Sequence, residues 1–246
     1  MKRKIAVILA AGKGTRLGQE GLSRPKTMTR VENVRIIDNL MLSLIRNGFK
    51  EAVVVVGYLE QKLRDGLKRF QSLIRVRFVV NPVYESTNNI YSLWLARRYC
   101  HDGFYLFESD VFFEPPLLRK LVECKHPNVM LVDRWRREMN GTVVELKEHD
   151  YVKEMYLKTQ QGEGFDFEGK FKTVNFYKLS SKYVRDSFLV KLDRHIRRKD
   201  VNIYYEQIIK EDVDDGHSFF GLKAGAGRWW EIDTPEDVRL ANRIFG

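Results

Sequence analysis

The sequence predicts an α/β fold built on a mostly parallel sheet, and two observations lead to this prediction. Short apolar runs alternate with segments of helical period over residues 1–133, which is the pattern of successive βαβ units. The chain has 246 residues, of which 43% are hydrophobic, and it can therefore bury a sizeable core as one domain. No stretch approaches the ~18 uninterrupted apolar residues of a membrane span.

In the first half of the chain, strands are predicted at the apolar runs and helices between them. Ile5–Ala10 is a continuous apolar run, which is typical of a buried parallel strand. The helix Ile36–Asn47 ends before Gly48, a natural C-cap, and the helix Leu117–Cys124 follows a pair of prolines. The other predicted strands are Ala52–Gly57, Val76–Val80, Phe104–Phe107 and Val129–Val132, and the other helices are Glu60–Phe70 and Asn89–Tyr99.

After Arg134 the pattern changes to short strands. Thr142–Leu146, Val152–Lys158 and Thr173–Leu179 are strand candidates around a polar stretch, and together they predict a small antiparallel lobe. Helical patterns return at Lys182–Ile196 and Tyr204–Asp212, a strand is expected at Trp229–Ile232, and a capped helix begins at Thr234–Asp237. Because no linker interrupts the chain, we expect a single Rossmann-like domain over residues 1–246, with a mixed sheet and helices on both faces.

Charge and cysteine content limit the classes of function. Lys and Arg number 43 against 33 Asp and Glu, and the net charge of +10 fits nucleic acid, an anionic surface or a highly charged anionic substrate. The cations are scattered, so no dedicated nucleic-acid stripe is evident. Cys100 and Cys124 lack metal-ligand spacing, which favours free thiols in a cytoplasmic protein. The basic start, Lys2–Lys4, precedes apolar residues without a convincing cleavage site, so we interpret it as the approach to a strand and not as a secretion signal.

A glycine-rich loop, A-A-G-K-G-T-R-L-G, follows the first strand. It lacks the spacing of a Walker P-loop, and Leu17 stands where a dinucleotide fingerprint requires its last glycine. What remains is the common physical feature: glycines let the backbone approach a ligand, and amide groups can face an anion. Lys13, Arg16 and Lys26 add positive charge.

The loop and several later stretches resemble the nucleotidyltransferases that make NDP-sugars and CDP-alcohols. L-A-A-G-x-G-T-R-L followed by P-K is similar to the signature of that family. N-N-I-Y-S-L at 88–93 and W-E-I-D-T-P-E-D at 230–237 resemble its phosphocholine cytidylyltransferase branch. M-N-G-T-V-V at 139–144, K-T-V-N-F-Y at 172–177 and Y-Y-E at 204–206 are similar to cytidylyltransferases of small phosphonates such as 2-aminoethylphosphonate. Two departures are Thr27–Met28 after P-K and Glu108–Ser109–Asp110, where sugar enzymes carry a glycine before the aspartate; the second disfavours sugar phosphates.

The resemblance implies a Mg²⁺-dependent cytidylyltransferase that transfers CMP from CTP to phosphocholine or a small phosphonate and releases pyrophosphate. A phosphomonoester has its second pKa at about 6 and is largely ionised near neutral pH, so no Ser-His-Asp arrangement is required. The alternatives are a sugar-1-phosphate nucleotidyltransferase and, from another class, a basic nucleic-acid-binding protein. For the enzyme we expect neither a nucleic-acid nor a membrane partner, and homo-oligomer formation is left open.

The family also implies the residues of the site. Lys26 and Arg16 are expected to neutralise the triphosphate and the departing pyrophosphate, and Asp110 and Asp233 to hold Mg²⁺. Asp233 has an alternative role as a helix N-cap, and so has Asn88. Glu108 and Glu231 are expected to point away from the two aspartates. The nucleotide-binding set is Leu9, Ala11, Gly12, Gly14, Thr15, Asn88, Asn89 and Ser92.

The acceptor residues are expected in the second half of the chain. Arg134, Arg136 and Arg137 suit a phosphate or phosphonate group, whereas Tyr204, Tyr205 and Glu206 combine aromatic faces with a carboxylate, the ingredients of an ammonium site. The resemblance of residues 172–177 to phosphonate cytidylyltransferases adds Lys172 to the acceptor set. Trp135, Trp229 and Trp230 are candidates for further walls. On this reading residues 1–133 form the nucleotide-binding half, and residues 134–246 form the acceptor-binding lobe and carry the C-terminal metal motif.

Overall fold

The computed structural model describes residues 4–18, 21 and 23–246, and its strands and helices follow the predicted alternation. The strands are β1 (Ile5–Ala10), β2 (Arg30–Val31), β3 (Val34–Arg35), β4 (Glu51–Val56), β5 (Arg75–Val80), β6 (Gly103–Glu108), β7 (Val111–Phe113), β8 (Val129–Arg134), β9 (Val143–Leu146), β10 (Val152–Tyr156), β11 (Phe171–Ser180), β12 (Phe220–Lys223) and β13 (Trp229–Glu231). The helices are α1 (Ile36–Arg46), α2 (Glu60–Leu67), α3 (Asn89–Ala96), α4 (Pro115–Glu123), α5 (Ser181–Tyr183), α6 (Leu189–Arg197), α7 (Glu206–Asp214) and α8 (Pro235–Phe245).

Shorter helical turns complete the secondary structure. A π-helical turn, Val184–Phe188, joins α5 to α6, so the helix predicted at 182–196 is interrupted. The 3₁₀ turns are Thr15–Leu17, Lys26–Met28, Lys68–Phe70, Arg97–Tyr99, Glu148–Asp150 and Lys158–Gln160. In the part of the chain that the structure describes, no helix is long and apolar enough to cross a membrane.

The main sheet is mixed and parallel at its centre. β1 pairs in parallel with β4 on one side and with β6 on the other, and β5 extends the parallel part beyond β4. β11 runs antiparallel between β6 and β8, and β12 pairs in parallel with the far side of β8. The strand predicted at Val129–Val132 therefore does not adjoin β6, as a simple βαβ succession would place it.

A bulge in β11 separates the sheet centre from the antiparallel lobe. The register with β8 shifts between Thr173 and Tyr177, and Asn175 lies there with a φ of 62°. Before the bulge β11 pairs with β9, which in turn pairs with β10. After the bulge it pairs with β6. The bulge therefore lets one strand carry residues of the lobe, including Lys172, to the edge of the central sheet.

Two apolar cores lie on the two faces of the sheet. Ala6, Ile8 and Ala10 contribute to the core that includes α1, α4 and β7, whereas the alternate residues Val7 and Leu9 contribute to the core that includes α3, α6 and α7. A strand buried on both faces explains the uninterrupted apolar run of β1. The predicted fold class, a Rossmann-like α/β domain with helices on both faces and an antiparallel lobe, is confirmed.

Candidate active site

Two cavities meet at the carboxyl ends of the central strands, where open α/β sheets place their sites. The first cavity, of about 260 Å³, lies beyond β1, β5 and β6, and the second, of about 210 Å³, lies beyond β13. Arg16 and Asp233 line both. The first cavity brings together every residue expected to bind the nucleotide, phosphates or metal: Leu9, Ala11, Gly12, Gly14, Thr15, Arg16, Lys26, Asn88, Asn89, Ser92, Asp110 and Asp233.

The glycine loop is shaped by contact with Lys26. Gly14 has a φ of 62°, and a Cβ there would lie 2.7 Å from Cβ of Lys26, so conformation and space both require glycine. At Gly12 a Cβ would meet nothing within 4 Å. No atom of the described residues therefore crowds Gly12, and a ligand can approach the Gly12 backbone closely.

Lys26 lies between the two aspartates that were expected to converge. Its Nζ donates to Oδ2 of Asp110 at 2.6 Å and to Oδ1 of Asp233 at 2.5 Å, and the guanidinium of Arg16 contacts the same Asp233 oxygen at 2.8 Å. Burial alone would lower the pKa of Lys26, but the two carboxylates outweigh it and raise the pKa above its ordinary value. Burial would likewise raise the pKa of Asp233, but Lys26 and Arg16 hold it below its usual range.

The expectation that Glu108 and Glu231 point away from the site is wrong. One carboxylate oxygen from each of Glu108, Asp110 and Glu231 lies within 4.8 Å of the others. Residues two apart on a strand share a face, and although β6 ends at Glu108 and β13 at Glu231, the residues that follow keep Asp110 beside Glu108 and Asp233 close to Glu231. Burial raises the pKa of Glu108 well above its ordinary value, and the carboxylates around it, Asp110 first, add to the effect.

The donor set of this acidic cluster fits Mg²⁺. Magnesium prefers hard oxygen ligands and takes one or two protein carboxylates together with substrate oxygens. Oδ1 of Asp110 is buried and has no hydrogen-bond partner among the described residues, so it is available as a ligand. Burial, opposed by Lys172, also raises the pKa of Glu231. Crowding of buried carboxylates is the situation that a divalent cation relieves.

The start of the last helix excludes the capping role for Asp233. Thr234 is the N-cap of α8: its hydroxyl accepts from Asp237 N, and Oδ2 of Asp237 accepts from Thr234 N at 2.8 Å. Pro235 at the first helical position fixes the cap at Thr234. The Asp233 side chain is therefore directed at Lys26 and Arg16 instead of at the helix end.

Asn88 and Asn89, at the start of α3, form hydrogen bonds that connect the lining of the first cavity to neighbouring parts of the chain. Asn88 is the N-cap of α3, and its side chain accepts from Asn89 N at 2.8 Å. Asn89 donates to Oε1 of Glu108 at 3.2 Å and accepts from the backbone N of Tyr205 at 2.9 Å. Asn89 therefore holds Glu108 in place beside Asp110.

Three polar lining residues of the first cavity were not anticipated: Asn81, Tyr84 and Thr87. Asn81 donates to the hydroxyls of Thr87 and Ser92 at 3.1 Å each, so it positions the wall opposite the glycine loop. Its place directly after the strand Arg75–Val80 was the available signal, because residues at strand carboxyl ends are the ones that build such sites.

The structure brings only part of the expected acceptor set together: Glu206 lies near Lys172, which opposes the rise that burial causes in the pKa of Glu206, whereas Arg134 and Tyr204 lie elsewhere. Lys172 lines the second cavity, is almost fully buried and lies with its Nζ 3.3 Å from Oε2 of Glu231. Arg134 is exposed at the end of β8 and lines neither cavity. Tyr204 is exposed, Tyr205 packs in the core edge-to-face with Tyr177, and Glu206 is buried, where it accepts from the Thr142 hydroxyl at 2.9 Å.

Comparison with known proteins gives several relatives and structural neighbours. The chain is 32% identical over 241 residues to the CMP-5'-(3-aminopropyl)phosphonate synthase of Streptomyces rubellomurinus, a match covering 98% of this chain but 38% of that protein. It is 23% identical over 255 residues to the CTP:phosphoglutamine cytidylyltransferase of Campylobacter jejuni, covering 96% and 98% of the two chains. The structure is similar to that of CTP:phosphocholine cytidylyltransferase from Streptococcus pneumoniae, with a TM-score of 0.82 at 19% identity and coverage of 99% and 100%.

The suspected family is confirmed, as is the likeness to its cytidylyltransferase branch. Residues 6–164, which include the glycine loop, Lys26 and Asp110, match the MobA-like NTP transferase domain. With that match over more than half of its length, the chain belongs to the MobA-like NTP transferase family and is a nucleotidyltransferase.

Proposed function

We propose that this nucleotidyltransferase is a Mg²⁺-dependent cytidylyltransferase that transfers CMP from CTP to a small phosphonate or to phosphocholine and releases pyrophosphate. The observation that supports the proposal most is the position of Lys26, held between Asp110 and Asp233 where the two cavities meet. A nucleotide in the first cavity and an acceptor in the second would present their phosphorus groups to each other at this point.

The reaction needs alignment and charge neutralisation more than it needs a base. An ionised acceptor oxygen attacks the α-phosphorus of CTP, a new P–O bond forms, and the bond from the α-phosphorus to the bridging oxygen breaks as pyrophosphate leaves. Lys26 and Arg16 are the cations that would stabilise the charge on the leaving group. Asp110 and Asp233, with Glu108 and Glu231 beside them, are the carboxylates that would hold Mg²⁺, which supplies charge neutralisation of the phosphates when bound.

The acceptor proposed first is a small aminoalkylphosphonate, with phosphocholine second. The second cavity contains both charge types, as a zwitterion requires: Arg16 and Lys172 are cationic, and Glu138 and Glu231 are anionic. The relative from Streptomyces is named for an aminopropylphosphonate product, which agrees with this choice.

A panel of nucleotides and acceptors tests the proposal directly. Purified protein with Mg²⁺ is given ATP, CTP, GTP or UTP together with 2-aminoethylphosphonate, phosphocholine or glucose 1-phosphate, and pyrophosphate release is measured. We expect release with CTP and an amine-bearing acceptor. Release only with UTP and the sugar phosphate would make the protein a sugar-1-phosphate nucleotidyltransferase. No release from any nucleotide, with strong salt-dependent binding of nucleic acid, would point to the nucleic-acid class.

A further inference from the structure

The second cavity contains more carboxylates than cations. Its lining carboxylates are Glu138, Glu231, Asp233 and Asp237, and its lining cations are Arg16 and Lys172. A ligand group that enters beyond the phosphorus-binding end therefore meets an excess of negative charge, which favours a cationic group.

Three of these four carboxylates already have partners within the protein. Asp237 accepts from the backbone of Thr234 at 2.8 Å and from Nε1 of Trp230 at 3.1 Å. Asp233 binds Lys26 and Arg16.

Glu231 lies 3.3 Å from the ammonium of Lys172. Each lining cation is thus engaged with a carboxylate of the site.

Glu138 is the exception. Among the residues that the structure describes, no cation or hydrogen-bond donor contacts its side chain. The nearby Arg136 is engaged elsewhere, since its guanidinium contacts Oδ2 of Asp133 at 3.1 Å. Glu138 is exposed and lies on the border between the second cavity and a neighbouring one of about 400 Å³, so its carboxylate is available to a ligand there.

The aromatic residues of the second cavity do not form a cage for a quaternary ammonium. Trp229 and Trp230 are only 3% and 5% exposed, and their indole N–H groups donate to Asp133 and Asp237. Tyr204 and Tyr205 do not line the cavity. Open aromatic faces are what trimethylammonium recognition uses, whereas a free carboxylate suits a primary ammonium, which can donate hydrogen bonds to it.

From this arrangement we infer that Glu138 is a specificity residue that binds the primary ammonium of a small aminoalkylphosphonate acceptor and selects it over neutral and quaternary analogues. The inference rests on the proposed function and names the acceptor class of the same site. The phosphonate end would lie towards Arg16, which lines both cavities, and the amino end towards Glu138, which lines the second cavity but not the first.

The test compares acceptors in wild type and in Glu138→Gln, with CTP saturating. The acceptors are 2-aminoethylphosphonate, its neutral counterpart 2-hydroxyethylphosphonate, and phosphocholine. In Glu138→Gln we expect kcat/KM for 2-aminoethylphosphonate to fall ~10-fold or more, mainly through KM, because a charge-assisted contact is lost. For the hydroxyl analogue the change should stay within about 2-fold. Glu138→Asp should restore part of the loss. Glu123→Gln removes the same charge from an exposed position at the end of α4 and should change neither acceptor.

The outcomes separate this inference from the proposed function. Equal effects of Glu138→Gln on the amino and hydroxyl acceptors, or no effect on either, would overturn the role of Glu138 while CMP transfer stands. A wild-type preference for phosphocholine or the hydroxyl analogue would also overturn it and leave a cytidylyltransferase. Failure of wild type to use CTP with any of the three acceptors would overturn both. Because Glu138 is exposed on a turn, Glu138→Gln should melt with wild type, and the melt is the check on folding.

Discussion

At the scale of single residues, Lys26 is constrained by both of its neighbours. Its ammonium contacts Asp110 and Asp233, and its Cβ lies so close to Gly14 that the glycine loop has no room for a side chain there. Backbone geometry on one side and two carboxylates on the other therefore fix the same side chain. When a triphosphate binds, the Lys26 ammonium would replace its contacts to carboxylate oxygens with contacts to phosphate oxygens.

Lys26→Ala is expected to lower turnover by roughly 10²–10³, with a much smaller loss of CTP affinity, because the lysine acts mainly on charge that develops as pyrophosphate leaves. Single-turnover rates and CTP titrations measure the two effects. Lys13→Ala is the matched control: Lys13 belongs to the same loop but pairs with Glu85 at 2.6 Å and does not line the first cavity. A variant of Lys26 that lost only CTP affinity would make this residue a ground-state anchor.

The two aspartates give the second prediction. Asp110→Asn and Asp233→Asn should each reduce turnover by on the order of 10³, and the double variant should be scarcely worse, because ligands of one ion act as a unit. Steady-state rates of the two single variants and the double variant measure the coupling. Losses that multiply in the double variant would mean that the two carboxylates act independently.

Thr234→Ala separates this role of Asp233 from the stability of α8. Loss of the N-cap hydroxyl should cost about 1 kcal/mol of unfolding free energy while turnover is largely retained. Asp233→Asn should show the reverse, with turnover lost and stability nearly unchanged. Denaturant melts and rates of the same two preparations give both quantities.

Sequence patterns predicted residues that line the cavities more reliably at strand ends than among the expected acceptor residues. Asp110, Asp233 and the glycine loop follow buried apolar runs, and such runs predict both the strand and the edge of the sheet where it ends. Tyr204, Tyr205 and Glu206 are adjacent in sequence, but successive residues at a helix start point in different directions, so Tyr204 is exposed while Tyr205 is in the core. No local pattern indicates which of them reaches a cavity.

At the scale of secondary structure, the elements missed from the sequence are short or irregular: the two-residue strands β2 and β3, the three-residue strand β7 and the bulge in β11. β7 has three residues and pairs with β13, so that Phe112 lies opposite Trp230. The β2–β3 hairpin turns through Glu32 and Asn33, both with positive φ, without the glycine that usually marks such a turn. The bulge in β11 was also not predicted, because the positive φ of Asn175 depends on the pairing of β11 with other strands on both sides of this residue.

The packing of α7 against the α5–α6 segment depends on a buried charge. Asp212 in α7 is fully buried, accepts from the hydroxyls of Tyr183 and Ser187, and pairs with Lys191 of α6 at 2.6 Å. Lys191 is itself buried and also contacts Asp215 at 2.7 Å. Lys191 therefore joins α6 to the buried face and to the end of α7, and His195 of α6 adds a contact to Glu211 of α7 at 3.0 Å.

Lys191→Met should lower the free energy of unfolding by roughly 3–5 kcal/mol, since it leaves the buried carboxylate of Asp212 without its cation. Lys182→Met is the matched control, because the Lys182–Asp186 pair is exposed and should contribute at most ~1 kcal/mol. Burial lowers the pKa of Lys191, but Asp212 and Asp215 raise it above 10.5, so the pair's contribution is complete at neutral pH and declines only above that value. Urea melts at neutral pH and near pH 11 test both statements; equal losses in the two variants would contradict them.

At the scale of the whole molecule, the direction in which the strands run determines which of them contribute to each cavity. The parallel strands β1, β5 and β6 end at the first cavity, while β13, with Lys172 from the first half of β11, contributes to the second. Arg16 and Asp233 line both and form an ion pair at 2.8 Å, so the two cavities adjoin at this pair. The net charge of +10 agrees with the proposed substrates, which are polyanions or zwitterions.

The walls of the first cavity are held by contacts within the protein, from Asn81 to Ser92 and from Asn89 to Glu108, and they need no acceptor to form. Nucleotide should therefore bind first and stabilise the fold alone. CTP with Mg²⁺ at a hundredfold excess over Kd should add ~2.7 kcal/mol, a shift of roughly 5–10 °C in Tm for a domain of this size. ATP, GTP and UTP should give smaller shifts at the same concentration, and EDTA should reduce the shift with CTP. Thermal melts with the four nucleotides measure this. Equal shifts would show that the cavity reads the triphosphate and not the base, which would remove the preference for CTP but not membership of the family.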